Sequence, residues 1–351
     1  MALIKELREK SGAPISDSCL ASSGWALDAA YDALRKKGLA AAAKSASRHA
    51  ADGLVGLALA GSEKAAVVEV NSETDFVGRS ALFRQLVGEG ARAALRLDGA
   101  AGGAAREATG DELAALPVPS PSSYSDDAEA AGPGSGGGDA APLVPLPDAC
   151  AEVAAKVREN IKLRRGFVLA AAPGGVVGGY VHMAAGPGLG RIASVVALAA
   201  PGGAPLQQDQ AAAAAQLATN LAMHVAGLRP QYIDLSAVPE TVLEAERQLL
   251  LEQAAGSGKP QAVLDKMVAG RLTKWAQEMC LLDQRYLLDD ALTVRQLLQQ
   301  QGAGKQGGGG VGGGALEVTG FLRVQVGEGL EAAEGAKDFA AEVAEMAGGR
   351  S

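Results

Sequence analysis

The chain has 351 residues, 48% of them hydrophobic and 21% charged, which is typical of a folded protein with two or three packed units. Its 32 basic and 40 acidic residues give a formal net charge of -8, which argues against a protein that neutralises phosphate backbones over a broad surface. Aromatic residues make up only 3%, too few to form a surface on which the bases of single-stranded nucleic acid would stack. Direct binding of nucleic acid is therefore not expected.

Cysteine spacing and hydropathy indicate the redox environment of the protein and whether it crosses a membrane. Cys19, Cys150 and Cys280 are far apart and odd in number, so no disulfide framework is expected and a reducing compartment fits. No uninterrupted apolar run is long enough to cross a bilayer, so no membrane association is predicted. Residues 1–10 resemble a charged amphipathic helix, and a cleavable secretory signal is not expected.

The first 52 residues are predicted to form a three-helix domain that ends in a connecting helix. Leu3 and Leu7 fall on one helical face, and Tyr31 and Leu34 recur at helical spacing farther along. An alanine-rich, basic segment then leads out of this domain, which we place at residues 1–52.

The pattern changes to short apolar runs after residue 52. Residues 54–60 and 65–70 are separated by a Gly-Ser-Glu-Lys turn and predict a β-hairpin, followed by a polar stretch and a helix that extends to Leu95. Strands are predicted again at 167–171, 176–182 and 192–199, before a helix at 208–227. We therefore place core subdomains at 53–116 and 149–238, and the fold class is α+β.

Two segments rich in glycine or proline interrupt the pattern. Residues 117–148 and 302–314 cannot bury enough apolar surface to offset their ordering entropy, so flexible insertions are predicted there, the first of them disordered. Two helices joined by a short loop predict a helical hairpin at 239–282. The chain is then expected to return to the core at 283–330 and to end in a helix within 331–351.

Signatures of catalysis are missing from the sequence. His49, His182 and His224 have no metal-ligand spacing, and no serine lies in a Gly-x-Ser-x-Gly turn. His224 lies in an apolar helical setting that is typical of a packed histidine. Asp289 and Asp290 are adjacent in a loop-like stretch and are expected to be solvated. No catalytic residue, metal site or cofactor is predicted, and the chain is not expected to be an enzyme.

One constellation of motifs resembles a known family. Residues 51–56 (Ala-Asp-Gly-Leu-Val-Gly) and 69–77 (Glu-Val-Asn-Ser-Glu-Thr-Asp-Phe-Val) are similar to translation elongation factor Ts, the guanine nucleotide exchange factor of elongation factor Tu. Further matches follow in family order at residues 3–13, 159–161, 164–165, 222–226, 257–260, 266–268, 293–298, 326–329 and 338–344. This collinearity is more specific than any single motif. The resemblance implies a ubiquitin-associated-like N-terminal bundle and an α+β core of two related subdomains with antiparallel sheets.

The resemblance also implies a partner-binding site. In the family, the Asp-Phe pair that matches Asp75 and Phe76 intrudes beside the magnesium site of elongation factor Tu, so Thr74, Asp75, Phe76 and Val77 are expected to dislodge that ion. From the residues alone, the ordinary interpretation is different: Asp75 would cap a helix and Phe76 would be a core ring.

Other partner contacts are implied by matched positions. His182 matches the family histidine that touches the partner near its phosphate loop, although Met183 follows it where many relatives have glycine and a shorter turn. Arg8, Pro14 and Ile15 match N-terminal contacts, although the family's Asp-Cys-Lys-Lys reads Asp-Ser-Cys-Leu at residues 17–20. Phe339 lies in a matched C-terminal segment and is a further expected contact.

The expected function is nucleotide exchange during translation elongation. The chain would bind elongation factor Tu in its GDP-bound and nucleotide-free forms, displace magnesium and release GDP. The alternative is a binding adaptor, in which residues 1–52 dock a ubiquitin-like or ribosomal partner. The resemblance leaves open whether the helical hairpin forms a homodimer or projects as a coiled coil. The mitochondrial matrix is the expected location, with plastid stroma and bacterial cytoplasm as alternatives.

Overall fold

The computed structural model describes residues 47–99, 101–124, 141–255, 261–302 and 315–330, together with residues 26, 29, 30 and 33. The predicted three-helix domain lies almost entirely outside these residues, as do the glycine-rich segment at 303–314 and the predicted C-terminal helix at 331–351.

The described residues combine helices with antiparallel sheets, in agreement with the predicted α+β class. The strands are β1 Asp52–Ala60, β2 Lys64–Ser72, β3 Ala105–Glu107, β4 Pro117–Pro119, β5 Leu143–Pro145, β6 Lys162–Ala170, β7 Val176–His182, β8 Leu189–Gly190, β9 Ile192–Ala199, β10 Arg285–Tyr286, β11 Asp289–Thr293 and β12 Glu317–Gln325. The helices are α1 Asp75–Arg79, α2 Ala81–Ala94, α3 Gly110–Ala114, α4 Leu146–Val157, α5 Gln208–Leu228, α6 Glu240–Ala255, α7 Gln261–Met279 and α8 Val294–Gly302.

Two antiparallel sheets form the centre of the fold. The first has the strand order β3-β6-β2-β1-β8, and the second has the order β12-β9-β7. β1 and β2 are the predicted hairpin, in full register from the pair Asp52 and Ser72 to the pair Ala60 and Lys64. Two small ladders, β4-β5 and β10-β11, lie outside the main sheets.

Strand alternation divides the apolar residues between three cores, because successive side chains point to opposite faces of a strand. On β2, Val68 packs with α2 and α4, whereas Val67 packs against residues of the second sheet. On β9, Val195 joins the layer between the sheets and Val196 faces α5. The two sheets therefore stack face to face, and helices cover their outer faces.

Each covering helix crosses its sheet at a glycine. A Cβ at Gly56 of β1 would lie 2.8 Å from the backbone oxygen of Val87 in α2. A Cβ at Gly178 of β7 would lie 2.8 Å from the backbone oxygen of Ala215 in α5. Real Cβ atoms do not approach this closely, so both positions require a residue without one. A glycine at the helix crossing in both sheets agrees with the two related subdomains that the resemblance implies.

The predicted boundaries differ from the structure at two places. The flexible insertion expected at 117–148 begins and ends in ordered structure, because β4 pairs with β5 and α4 begins at Leu146. Val118 and Leu146 are buried, so these ends contribute apolar surface that the average composition of the segment concealed. In addition, β6 lies in the predicted subdomain 149–238 but pairs with β2 and β3 in the first sheet.

A buried carboxylate joins the first sheet to the turn after β12. Glu69 of β2 has 0% exposure and accepts hydrogen bonds from Arg164, Arg165 and the amide of Gly327. Burial raises the pKa of Glu69, but these donors outweigh that effect and hold the pKa below its ordinary value. These contacts join β2, β6 and the turn after β12 at one buried charge.

The helical hairpin predicted at 239–282 is present as α6 and α7, which pack against each other. Asp289 and Asp290 begin strand β11 rather than lying in a loop, although both are exposed as expected. Within the described residues, no helix combines the length and the apolar character that crossing a membrane requires.

Candidate functional site

The segment Thr74–Val77, called the tip below, lies at the start of the short helix α1. Thr74 is the extended residue before the helix, and Asp75 is its first residue. Ser80 separates α1 from α2: its hydroxyl donates to the oxygen of Val77 at 2.8 Å and accepts from the amide of Phe83. The tip is therefore connected to the long covering helix through a capped turn.

Glu159, which follows α4, holds the first residue of the tip. Its carboxylate accepts from the amide of Thr74 at 3.0 Å and from the Thr74 hydroxyl at 2.7 Å. The Ser72 hydroxyl donates to the oxygen of Thr74 at 2.9 Å. Next to this contact, Glu73 accepts from the amide of Asn160 at 2.5 Å. Hydrogen bonds with Ser72 and with the segment after α4 thus hold Glu73 and Thr74 in place before α1 begins.

The two central residues of the tip face outward. Phe76 is 74% exposed, so the interpretation of Phe76 as a core ring is wrong. Asp75 does not cap the helix, because Thr74 occupies that position; instead, its carboxylate accepts from Arg79 at 2.7 Å, one turn along. The Arg79 guanidinium also lies over the Phe76 ring, 5.8 Å from its centroid. Val77, in contrast, is buried in the first core.

His182, the second matched contact, ends strand β7 and is exposed. Its Nδ1 lies 3.3 Å from the Tyr180 hydroxyl. The two side chains line an open cleft with residues at the end of α5 and with Leu287. His182 is therefore accessible on the surface of the second sheet.

The loop 183–188 after His182 turns back onto the first sheet. Met183 is 64% exposed and has a φ of 52°, in the left-handed region that glycine adopts most readily. The backbone at Met183 thus has a conformation that a glycine would adopt with less strain. The loop is held by the bond from the Leu57 amide to the oxygen of Gly188, at 2.7 Å.

The remaining predicted residues divide into two groups. Arg8, Pro14, Ile15 and Phe339 lie outside the described residues. His224 is buried and packed as expected, with Nε2 2.9 Å from Oε1 of Gln284. No cluster of three or more potential metal ligands occurs within the described residues.

Two residues that shape the tip, Arg79 and Glu159, were not predicted from the sequence. Arg79 follows Asp75 by four residues, a spacing that predicts an ion pair on a helix and could have identified it. Glu159 lies in a matched motif, but its contact with Thr74 spans 85 residues of sequence, and no local pattern indicates it.

Comparison with known proteins decides the family. The family model described as "Elongation factor TS" matches residues 143–328, more than half of the chain. The chain belongs to the elongation factor Ts family. Its members are nucleotide exchange factors of translation elongation that bind elongation factor Tu.

Individual relatives resemble the chain over nearly its whole length. It is 42% identical to "Elongation factor Ts, mitochondrial" of Ostreococcus tauri, covering 98% of this chain and 92% of the relative. It is 39% identical to "Elongation factor Ts" of Gluconobacter oxydans over 99% and 97% of the two chains. It is 37% identical to "Elongation factor Ts, mitochondrial" of Zea mays over 99% and 84%. Organellar and bacterial elongation factor Ts proteins are thus similarly related to it.

Proposed function

We propose that this elongation factor Ts accelerates GDP release by inserting the tip beside the magnesium ion of GDP-bound elongation factor Tu. The exposure of Phe76 carries the proposal. A large apolar ring that faces solvent on an anchored helix is available to fill a pocket on a partner, and its burial contributes about 1.5–3 kcal/mol. Val77 and Glu159 keep the helix in place while the ring is inserted.

Asp75 supplies the chemistry of the tip. Mg²⁺ requires a near-ideal octahedral set of oxygen ligands, so a carboxylate introduced beside it competes for the ion and perturbs its shell. Loss of the ion removes the charge that tethers the diphosphate, and GDP leaves faster. The exchange factor then holds the nucleotide-free partner until GTP binds. Coupling between the two sites is reciprocal. Bound nucleotide therefore lowers the affinity for the exchange factor by the same ratio as the exchange factor lowers the affinity for nucleotide.

Several contacts must act together. A 10⁴-fold acceleration needs a barrier lower by about 5.5 kcal/mol, which exceeds what one buried ring provides. His182 is the second contact that we propose within the described residues, at the phosphate loop of the partner. The described part of the chain thus offers a wedge on the first sheet and a polar contact on the second.

The test measures release of a fluorescent GDP analogue from elongation factor Tu. The wild-type chain should accelerate release; Phe76→Ala should lose most of that effect, and Asp75→Asn should lose a large part of it. Leu143→Ala is the control, because Leu143 is 62% exposed and lies in β5, which pairs with β4 outside the main sheets. Release that is equally fast with and without the wild-type chain would refute the proposal.

We further propose the mitochondrial matrix as the location. The support is the set of relatives named mitochondrial in a green alga and in plants, at 35–42% identity. Fractionation of source cells with an antibody to this chain should recover it with a matrix marker. Recovery with a plastid marker, or from a bacterial source, would contradict the proposal.

A further inference from the structure

A single arginine contacts both the turn beneath the tip and the loop after His182. Arg84 is in the first turn of α2, and its amide donates to the oxygen of Ser80 at 3.1 Å. Its guanidinium Nη1 donates to the oxygen of Ala185 at 2.9 Å, across 101 residues of sequence. Ser80 ends α1, and Ala185 lies three residues beyond His182.

The loop 183–188 is also held by packing against the first core and by hydrogen bonds within the loop and at its base. Ala185 packs against the first hydrophobic core, and Leu189 is buried in it. The amide of Ala185 donates to the oxygen of Leu189 at 2.8 Å. The amide of Arg191 donates to the oxygen of His182 at 3.1 Å, which closes the loop at its base. Arg84 adds a side-chain hydrogen bond from α2 to this loop.

The hydrogen bond from Arg84 to Ala185 leaves another donor of the same side chain unpaired. Nε of Arg84 is buried and has no hydrogen-bond partner among the described residues. A buried donor without a partner is destabilising, so the guanidinium is held at Ala185 despite this penalty. Met183, in the same loop, has the left-handed backbone that a non-glycine residue adopts unfavourably. The Arg84 bond is thus one of the contacts that hold a loop whose backbone includes an unfavourable residue.

We infer that Arg84 is a positioning residue for nucleotide exchange, which holds the His182 loop at a fixed place relative to the tip. A partner that must meet the wedge and the histidine at once gains from this arrangement, because the two contacts need not be ordered during binding. Arg84 itself does not touch the partner. The inference rests on the proposed contacts of Phe76 and His182.

The test is a double-mutant cycle on GDP release. Arg84→Met keeps the aliphatic stem and removes the donor, and Arg84→Lys keeps a charged donor. We expect Arg84→Met to raise the half-saturating concentration of the exchange factor about tenfold, the effect of one charge-assisted hydrogen bond. Arg84→Lys should recover part of this loss. In a His182→Ala background, Arg84→Met should add less than about twofold, because residues that act through a shared contact are not additive.

Arg96→Met is the matched control. The Arg96 guanidinium also donates to a backbone oxygen, that of Pro117, at 3.2 Å, but in β4 instead of the His182 loop. This variant should exchange nucleotide like the wild type. Melting temperatures of all variants distinguish a loss of positioning from general unfolding. If Arg84→Met proves unstable, the partial recovery by Arg84→Lys and its coupling to His182→Ala decide the matter.

The outcomes separate this inference from the proposed function. If Arg84→Met has wild-type activity and a normal half-saturating concentration, the inference is overturned and the proposed function is not. Fully additive losses for Arg84→Met and His182→Ala overturn it as well, because Arg84 would then act elsewhere. A wild-type chain that fails to accelerate release overturns the proposed function, and the inference with it.

Discussion

Glu159 accepts two hydrogen bonds from Thr74, one from its amide at 3.0 Å and one from its hydroxyl at 2.7 Å. This contact joins the loop after α4 to the residue that precedes Asp75 and Phe76. Because α1 has only five residues, its own hydrogen bonds cannot keep it in place, and isolated helices of that length are not stable. The orientation of the tip therefore depends on a residue distant in sequence.

Loss of the Glu159 carboxylate should lower the rate of nucleotide exchange. We expect Glu159→Ala to reduce the maximal rate of GDP release about tenfold, because charge-assisted hydrogen bonds contribute about 1.5–3 kcal/mol when lost. Thr74→Val removes only the hydroxyl donor and should have a smaller effect. Glu107→Gln, at an exposed position in β3, is the control. A Glu159→Ala variant that retains the wild-type maximal rate would show that the tip needs no anchor.

In the free protein, the Arg79 guanidinium forms an ion pair with the Asp75 carboxylate. Both side chains are largely exposed, so the pair contributes less than about 0.5 kcal/mol to stability. When the tip meets a cation on the partner, Arg79 competes for the same carboxylate. We expect Arg79→Met to leave the melting temperature unchanged and to raise the maximal rate of GDP release about twofold, because Asp75 loses its competitor.

The Asp75→Asn background tests that explanation. Asparagine has no charge for Arg79 to hold, so Arg79→Met should have no effect on release in that background. An equal gain in both backgrounds would mean that Arg79 acts through the Phe76 ring, which it also contacts.

Local patterns in the sequence predicted the elements better than the way they assemble. The β1-β2 hairpin and α5 follow from alternation and helical spacing, and both are present close to their expected bounds. The exposure of Phe76 does not follow from pattern, because phenylalanine is among the residue types that are most often buried. Only the family resemblance assigned it to a surface. The membership of β6 in the first sheet depends on pairing between residues that are 91 to 106 positions apart, from Asn71 with Lys162 to Lys64 with Ala170, which composition does not encode.

Glu69 should be among the most sensitive positions in the fold. Glu69→Gln leaves Arg164 and Arg165 without their shared anion in a buried setting, and removing one partner of a buried ion pair costs about 3–5 kcal/mol. We expect a corresponding decrease in the free energy of unfolding measured by denaturant titration. Asp283→Asn, which breaks the more exposed pair with Arg295, should cost less than about 1 kcal/mol. Equal losses for the two variants would contradict this account of the Glu69 cluster.

His224 should make the stability of the protein depend on pH. Its Nδ1 accepts the amide of Leu287 at 3.1 Å, and its Nε2 lies 2.9 Å from Oε1 of Gln284. Both contacts fit a neutral ring with its proton on Nε2. Burial lowers the pKa of His224, and the bond to Gln284 opposes this effect only in part. The folded protein therefore resists protonation of this ring.

The direction of the pH effect follows from proton linkage. Below about pH 6.5 the unfolded chain protonates this histidine while the folded chain does not, so the unfolded state binds more protons. The free energy of unfolding should decrease as the pH falls from about 7 toward the lowered folded pKa, with a contribution of up to about 1.4 kcal/mol per pH unit. His224→Gln should be less stable at pH 7 and should lack this contribution. Denaturant titrations of both proteins between pH 7 and pH 5 measure it, and parallel curves would show that His224 does not titrate on unfolding.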